Sequence, residues 1–229
     1  MPVLPIPLVA ESADDLLGAA RSLVDAASAA FIADADFGVS CTAVCAACCS
    51  QAVPVTAAEV RSAVAAIARL PEERRAEIAR RAAAVTATLA DAGISPTTFR
   101  DAGDDPAARR AVAGAYFAQD QPCPLLHDGV CSIRADRPLA CREYLVVSDP
   151  AHCAPPGVGD EPGDQVVRIR SRNDVRRGFA DVSTAFGEPG HEVLAFALAD
   201  ALRHGPPVAP PADPRSGPGT AAMLTPPLG

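Results

Sequence analysis

The chain has 229 residues and a formal charge of −8, and arginine supplies all of the positive charge because lysine is absent. That excludes Schiff-base chemistry, a P-loop lysine and a lysine general base, and the acidic balance argues against sequence-independent nucleic-acid binding. The length supports an ordinary hydrophobic core without help from disulfides. An alanine-rich chain with no tryptophan favours close-packed helices over sheets. The expected fold is mainly α, a single helical domain carrying a small irregular or hairpin cysteine-rich element.

Met1 to Glu11 is apolar in flavour, but Pro2, Pro5 and Pro7 interrupt it and it lacks a basic leader region. It reads as neither a signal peptide nor a membrane span, and no later apolar run is long enough to cross a bilayer. The expected compartment is the cytoplasm, where thiols stay reduced and cysteine clusters serve metal or redox chemistry.

A first helix is predicted from Ser12 to about Ala33. Ser12 is its N-cap, Asp15 sits at N3, and Leu16, Leu17, Ala20, Leu23, Val24, Ala27 and Phe31 recur at helical spacing. Thr56-Ala-Ala-Glu59 is a capping box that opens a second helix, with Val60, Val64, Ile67 and Ala68 along it to about Arg69. Pro71, Glu72 and Glu73 start a third, running through Ile78, Val85 and Leu89 to Gly93. Its outer face, with Glu77 before Arg80 and Arg81, reads as solvated and ion-paired. A further short helix covers Pro106 to Ala118.

Around Leu125 to Ile133 the pattern predicts a small hairpin turning at Asp128-Gly129. Arg137 to Tyr144 reads as a helical turn after Pro138, and Val166 to Ile169 as a short strand. Two helices follow, about Arg172 to Phe186 and Gly190 to His204. From Gly205 onward, Pro, Gly and Ala dominate without periodicity, which predicts a disordered tail. The chain thus divides into an N-terminal helix (1–36), a cysteine-cluster region (37–153), C-terminal helices packed on it (154–204) and the tail (205–229).

The eight cysteines form two groups: Cys41, Cys45, Cys48 and Cys49, then Cys123, Cys131, Cys141 and Cys153. Thiolates are strong ligands for zinc and for iron–sulfur clusters, and both commonly use four per site. Eight ligands could complete two sites, or serve one with several in reserve. On a regular helix the first four would share a face, yet Cys41 and Cys49 would stand roughly 12 Å apart along the axis. Thiolates on one tetrahedral zinc lie only roughly 4 Å apart. The first segment must therefore bend, or the second group completes the coordination; the split is the reading adopted here, because it explains why the two groups occur together. Packing of free cysteines, structural disulfides and a dithiol redox role account less well for this density and spacing.

Two blocks carry a family resemblance: Cys41-x3-Cys45-x2-Cys48-Cys49 followed by Val55-Thr56-x2-Glu59-Val60, and Cys123-Pro-Leu-Leu-x4-Cys131-Ser-Ile-x3-Arg137-Pro138-Leu-x-Cys141-Arg142-x-Tyr144. Over about Phe37 to Cys153 they resemble the YkgJ-like cysteine-cluster family, described as a zinc- or iron-chelating domain with eight cysteines. The resemblance implies that all eight cysteines here are metal ligands, with Cys153 matching most loosely. A related branch, the flagellin lysine-N-methylase, is associated with iron–sulfur chemistry. This chain is shorter and shows no glycine-rich methyl-donor motif, so the methylase activity is not carried over.

Beside the cysteines, Arg137 and Arg142 are candidates to neutralise thiolate charge and donate hydrogen bonds to sulfur, against the alternative of ordinary surface or capping arginines. Tyr144 reads as a core residue. His127 and His152 are possible substitute ligands, while His191 and His204 read as helix-surface residues. No Ser-His-Asp set, H-E-x-x-H or dinucleotide fingerprint is present. The expected function is chelation of zinc or iron, iron–sulfur included, with the metal ion as partner and no nucleic acid or membrane. The alternatives are a structural zinc module for protein–protein contact, a metal storage or delivery protein, and a methyltransferase-like enzyme.

Overall fold

The computed structural model describes residues 12–34, 38–42, 44–149, 153, 168–169, 174–188 and 191–210. Among them the fold is mainly α, with strands only as short two-residue pairs. The helices are α1 (Ala13–Asp34), α2 (Ala57–Ala68), α3 (Glu72–Asp91), α4 (Pro96–Asp101), α5 (Pro106–Phe117), α6 (Leu139–Glu143), α7 (Asp174–Ala185) and α8 (Leu194–His204). No helix among the described residues is long and apolar enough to cross a membrane.

Side-chain caps set half of the helix starts. Ser12 and Asp15 bond reciprocally ahead of α1. The buried face of α1 is narrower than its sequence pattern predicts. Ala13, Leu17, Ala20, Val24 and Ser28 are buried, whereas Leu23 and Ala27 face outward, since α2, α6 and α7 cover one side only. The Thr56–Glu59 capping box opens α2 as expected. A second capping box, Ser95 with Thr98, opens α4, an element too short for periodicity to reveal. Gly93, at φ +73°, ends α3, and the chain turns back with Ile94 N–H donating to the Leu89 carbonyl at 2.8 Å.

Three two-stranded antiparallel pairs stitch the helices together. β1 (Pro54–Val55) pairs with β6 (Glu192–Val193), β2 (Leu126–His127) with β3 (Val130–Cys131), and β4 (Leu145–Val146) with β5 (Arg168–Ile169). The β2–β3 hairpin turns at Asp128-Gly129, both at positive φ, as the primed two-residue turn requires. The β1–β6 pair joins residues far apart in sequence. It also explains why α8 begins at Leu194 instead of Gly190: the residues before it are committed to β1. Residues 205–210 have no regular structure, and the rest of the predicted tail lies outside the described residues.

The core has three apolar clusters, and α8 contributes to two of them. One joins Val60, Ile67, Ile78, Leu125, Ile133, Leu194 and Leu198, with Cys123 and Cys131 packed at its margin. Another sets α1 against Ala58, Leu139 and Phe179. The last gathers Val85, Leu89, Tyr116 and Phe196, where Phe99 meets Tyr116 and Phe196 edge to face. Burial nearly all round α8 accounts for its almost uninterrupted apolar sequence.

Ionic struts bind these layers. Arg61 joins Asp14 on α1 and the buried Glu188, and Arg21 and Arg69 both reach Asp136. The outer face of α3 is ion-paired as expected, Glu77 with Arg81 at 3.8 Å, and Arg80 is exposed, but the hairpin covers part of this face. Arg81 donates to the Leu126 carbonyl and Arg74 to His127, so this face clasps the hairpin. Glu59 does two jobs: one oxygen accepts from Thr56 N–H at 2.8 Å, and the other accepts from Leu139 N–H at 2.8 Å, at the start of α6. Glu59 is only 3 % exposed, so removing its carboxylate strands both donors. Glu59→Ala is expected to cost about 3 kcal/mol of stability by urea unfolding; a loss under about 1 kcal/mol would show that the carboxylate is not the tie between α2 and α6.

Candidate metal centre

The first cysteine block is not an α-helix. Residues 38–42 run beside β4, with Ser40 N–H donating to the Val146 carbonyl at 2.9 Å and Val146 N–H reaching the Cys41 sulfur at 3.4 Å. Turns follow, closed by Cys45 N–H to Thr42 O and Cys49 N–H to Ala46 O, and Ala47–Ser50 is a single 3-10 turn. The helical-face geometry considered from sequence therefore does not arise; the segment bends.

A backbone bond brings the second block to the first: Cys123 N–H donates to the Cys49 carbonyl at 2.8 Å. The chain then folds into the hairpin, with Leu126 N–H on the Cys123 carbonyl and Ser132 N–H on that of Leu125. Cys131 lies on β3 opposite Leu126. Cys141 sits in the short α6, whose first turn is closed by Cys141 N–H to Pro138 O. Cys153 is buried, and His152 beside it lies outside the described residues. All eight cysteines are free thiols.

Electrostatics shows which thiols are neighbours. Burial pushes the Cys141 thiol well up, and Cys123, Cys48 and Cys131 push it further. Burial also lifts Cys123 to about 12, with Cys131 and Cys48 adding to the rise. The Cys48 thiol is raised by its hydrogen bond to Cys49 and then by burial. Cys41 is raised by burial, with Cys45 and Cys48 contributing. The Cys141 thiol thus lies within electrostatic range of Cys48 from the first block and of Cys123 and Cys131 from the second, while Cys41 lies within range of Cys45 and Cys48. Among the described residues no three His, Cys, Asp or Glu side chains form a ready-made cage for an ion. Closing one would require the thiols to rotate toward one another.

Two features oppose the desolvation of these sulfurs. The N–H two residues on donates to sulfur at both Cys123 and Cys131, from Leu125 and Ile133. Arg137 favours the ionised form at Cys41, Cys48, Cys131 and Cys141. Partly buried thiols whose ionised forms would repel one another, with N–H donors and a shared guanidinium, are a donor set that suits a thiophilic cation.

The two candidate arginines separate. Arg142 is 8 % exposed and directs its guanidinium away from the sulfurs, to Asp25 at 2.5 Å, the Ala135 carbonyl and the Arg137 carbonyl. It braces α6 against α1, while Arg137 is the one of the two whose charge acts on the thiols. Tyr144 is half-buried, and its hydroxyl accepts from Gln51 just after the first block. His127 is held between Arg74 and Asp128 on the hairpin. His191 is exposed ahead of β6, and His204 pairs with Asp200 on the last turn of α8. Sequence reading did not find Tyr116, buried on α5 close enough for Cys123 to affect its hydroxyl. Its spacing from the cysteines carries no motif.

Residues 40–156, just over half of the chain, match the family model CxxCxxCC, described as "Putative zinc- or iron-chelating domain". No curated protein and no solved structure matches the chain. The matched span begins one residue before Cys41, ends three beyond Cys153, and encloses the two blocks that the fold brings together; the chain belongs to the CxxCxxCC family of zinc- or iron-chelating domains.

Proposed function

We propose that this protein binds zinc or iron, the latter as a single ion or an iron–sulfur cluster, with Cys48, Cys123, Cys131 and Cys141 as the inner donors. Cys41, Cys45, Cys49 and Cys153 are the outer donors, able to complete a second site or to exchange with the first. The observation that carries this reading is the Cys123 N–H bond to the Cys49 carbonyl at 2.8 Å, which joins the two cysteine blocks; the Cys141 thiol, raised first by burial, is raised further by cysteines of both. Four thiols so placed are held apart by repulsion when ionised and are stabilised together by a shared cation.

Each surrounding residue has a task toward that cation. Leu125 and Ile133 N–H groups orient the sulfurs of Cys123 and Cys131. Arg137 offsets part of the negative charge that four thiolates would leave on a divalent ion. Arg142 keeps α6, and with it Cys141, in position through Asp25. When bound, the metal would supply Lewis acidity if zinc, or electron transfer if an iron–sulfur cluster. A structural zinc module is the second reading, favoured by the packing of Cys123 and Cys131 against the apolar core. A saturated tetrahedral site would select it, and an open coordination position would select reactivity.

Protein purified without oxygen should carry stoichiometric zinc or iron, and Cys141→Ser should lower metal affinity at least about ten-fold. Stoichiometric metal retained in Cys48→Ser, Cys123→Ser and Cys141→Ser alike would overturn the ligand assignment. Broad absorbance near ~400 nm with acid-labile sulfide would identify a cluster, and colourless stoichiometric zinc an ion.

The raised thiols also predict a pH dependence. A thiol with its folded pKa above the ordinary 9.0 holds its proton more tightly in the native state than in the unfolded one. Its contribution to stability is full below about pH 9 and is lost as pH climbs toward about 12. Metal-free protein should therefore have a lower urea midpoint at about pH 10.5 than at about pH 8, and metal-loaded protein should lose less, because its ligands are already deprotonated. Equal midpoints for the metal-free protein at the two pH values would contradict the burial of these sulfurs.

A further inference from the structure

Two mostly buried arginines converge on the three residues ahead of Pro138. Arg21 reaches across from α1: one terminal nitrogen donates to the Asp136 carbonyl at 2.6 Å, and the other donates to the Ser62 hydroxyl at 3.0 Å. Arg142 comes from α6, donating from Nε to the Arg137 carbonyl at 3.1 Å and from a terminal nitrogen to the Ala135 carbonyl. The carbonyls of Ala135, Asp136 and Arg137 are thus all held by guanidinium groups.

This arrangement is a costly one. The Arg21 side chain is 13 % exposed and that of Arg142 8 %. Burial pulls the Arg21 pKa below its ordinary value and the like charge of Arg142 pulls it further, with Asp136, Glu59 and Asp25 opposing both. A loop that had merely to be tied to α1 could be held by neutral donors. What the clamp fixes is the backbone of Arg137. Asp136 N–H donates to the Ile133 carbonyl at 2.8 Å, and Arg137 sits at φ −57°, ψ 150°, the extended conformation favoured for a residue before proline. The Arg137 side chain therefore starts from a fixed point. Its charge acts at Cys41, Cys48, Cys131 and Cys141, an effect that weakens with distance and so with any movement of the loop.

We propose that Arg21 is a positioning residue of the metal centre: together with Arg142 it clamps residues 135–137, so that the Arg137 charge is held near the cysteine sulfurs. This rests on the metal-binding reading above. Arg142 adjoins Cys141 and serves α6 as well, whereas Arg21 stands on a helix that carries no cysteine. Arg21 therefore separates the clamp from the ligands.

Cobalt(II), bound to the full chain without oxygen, reports the charge beside its ligands. A nearby cation lowers the energy of sulfur lone pairs and moves the sulfur-to-metal charge-transfer band to shorter wavelength. Arg137→Met should therefore move the band to longer wavelength and weaken zinc binding, measured against a competing chelator, about ten-fold. Arg21→Met should move it in the same direction and weaken zinc binding about three- to ten-fold. The double variant should be displaced no further than Arg137→Met alone, because the two residues act through one charge. Arg21→Lys keeps the buried charge without the two-pronged reach; it should show part of the same shift, and it decides the matter if Arg21→Met folds poorly. Arg61→Met is the control. It removes a strut of similar burial, to Asp14 and Glu188, and should lower the urea midpoint with the band in place. A band unmoved in the Arg21 variants or in Arg137→Met, shifts that add in the double variant, or an equal shift in Arg61→Met would overturn the positioning role while leaving the metal centre standing. No charge-transfer band in wild type would overturn the metal centre and the role with it.

Discussion

Desolvation of cysteine sulfur is the constraint around which this structure is arranged. A thiolate is stable in water and costly in a protein interior, and thiolates brought close together repel one another as well. Cys123 and Cys141 experience both effects at once. A protein can answer with a proton on each sulfur, with N–H donors and positive side chains, or with a cation. The first answer makes inert, buried thiols. This chain uses the second in a measured way: N–H donors from Leu125, Ile133 and Val146, and an arginine, Arg137, that reaches four of the cysteines. The remaining imbalance is what a metal ion would remove.

Such a centre needs a frame that does not itself depend on the ion for every contact. Unlike small zinc modules, in which metal binding supplies most of the folding energy, this fold has apolar clusters of its own. Ile78, Leu125, Leu194 and Leu198 are nearly or fully buried in a cluster that Cys123 and Cys131 touch only from its margin. The elements that carry cysteines are the less regular ones: a 3-10 turn, a two-residue hairpin and a five-residue helix. They are fastened to the frame at single points: Cys123 to the Cys49 carbonyl, Leu139 to Glu59, Arg142 to Asp25 and Arg81 to Leu126. Rigid helices set the position of the centre, and short segments held at a few points leave the sulfurs room to adjust.

What could be read in the sequence was whatever depends on neighbouring residues. The Thr56–Glu59 box, the Asp128-Gly129 turn, the helical turn after Pro138 and the stop at Gly93 each rest on a preference that a few residues express alone. The pairing of Pro54 with Val193 and the second bond of Glu59 to Leu139 do not, because each joins segments far apart in the chain. The fate of the two arginines shows the same limit. Arg137 lies four residues before Cys141 and Arg142 one after it, and the sequence alone does not say which of them faces the sulfurs. Asp25, on a helix more than a hundred residues earlier, draws Arg142 away, so of the two it is Arg137 that acts on the sulfurs. The helical-face geometry of the first cysteine block was the wrong starting shape for a related reason. Small residues such as Ala46 and Ala47 permit a helix, but the hydrogen bonds to Val146 and the second block hold the segment in turns.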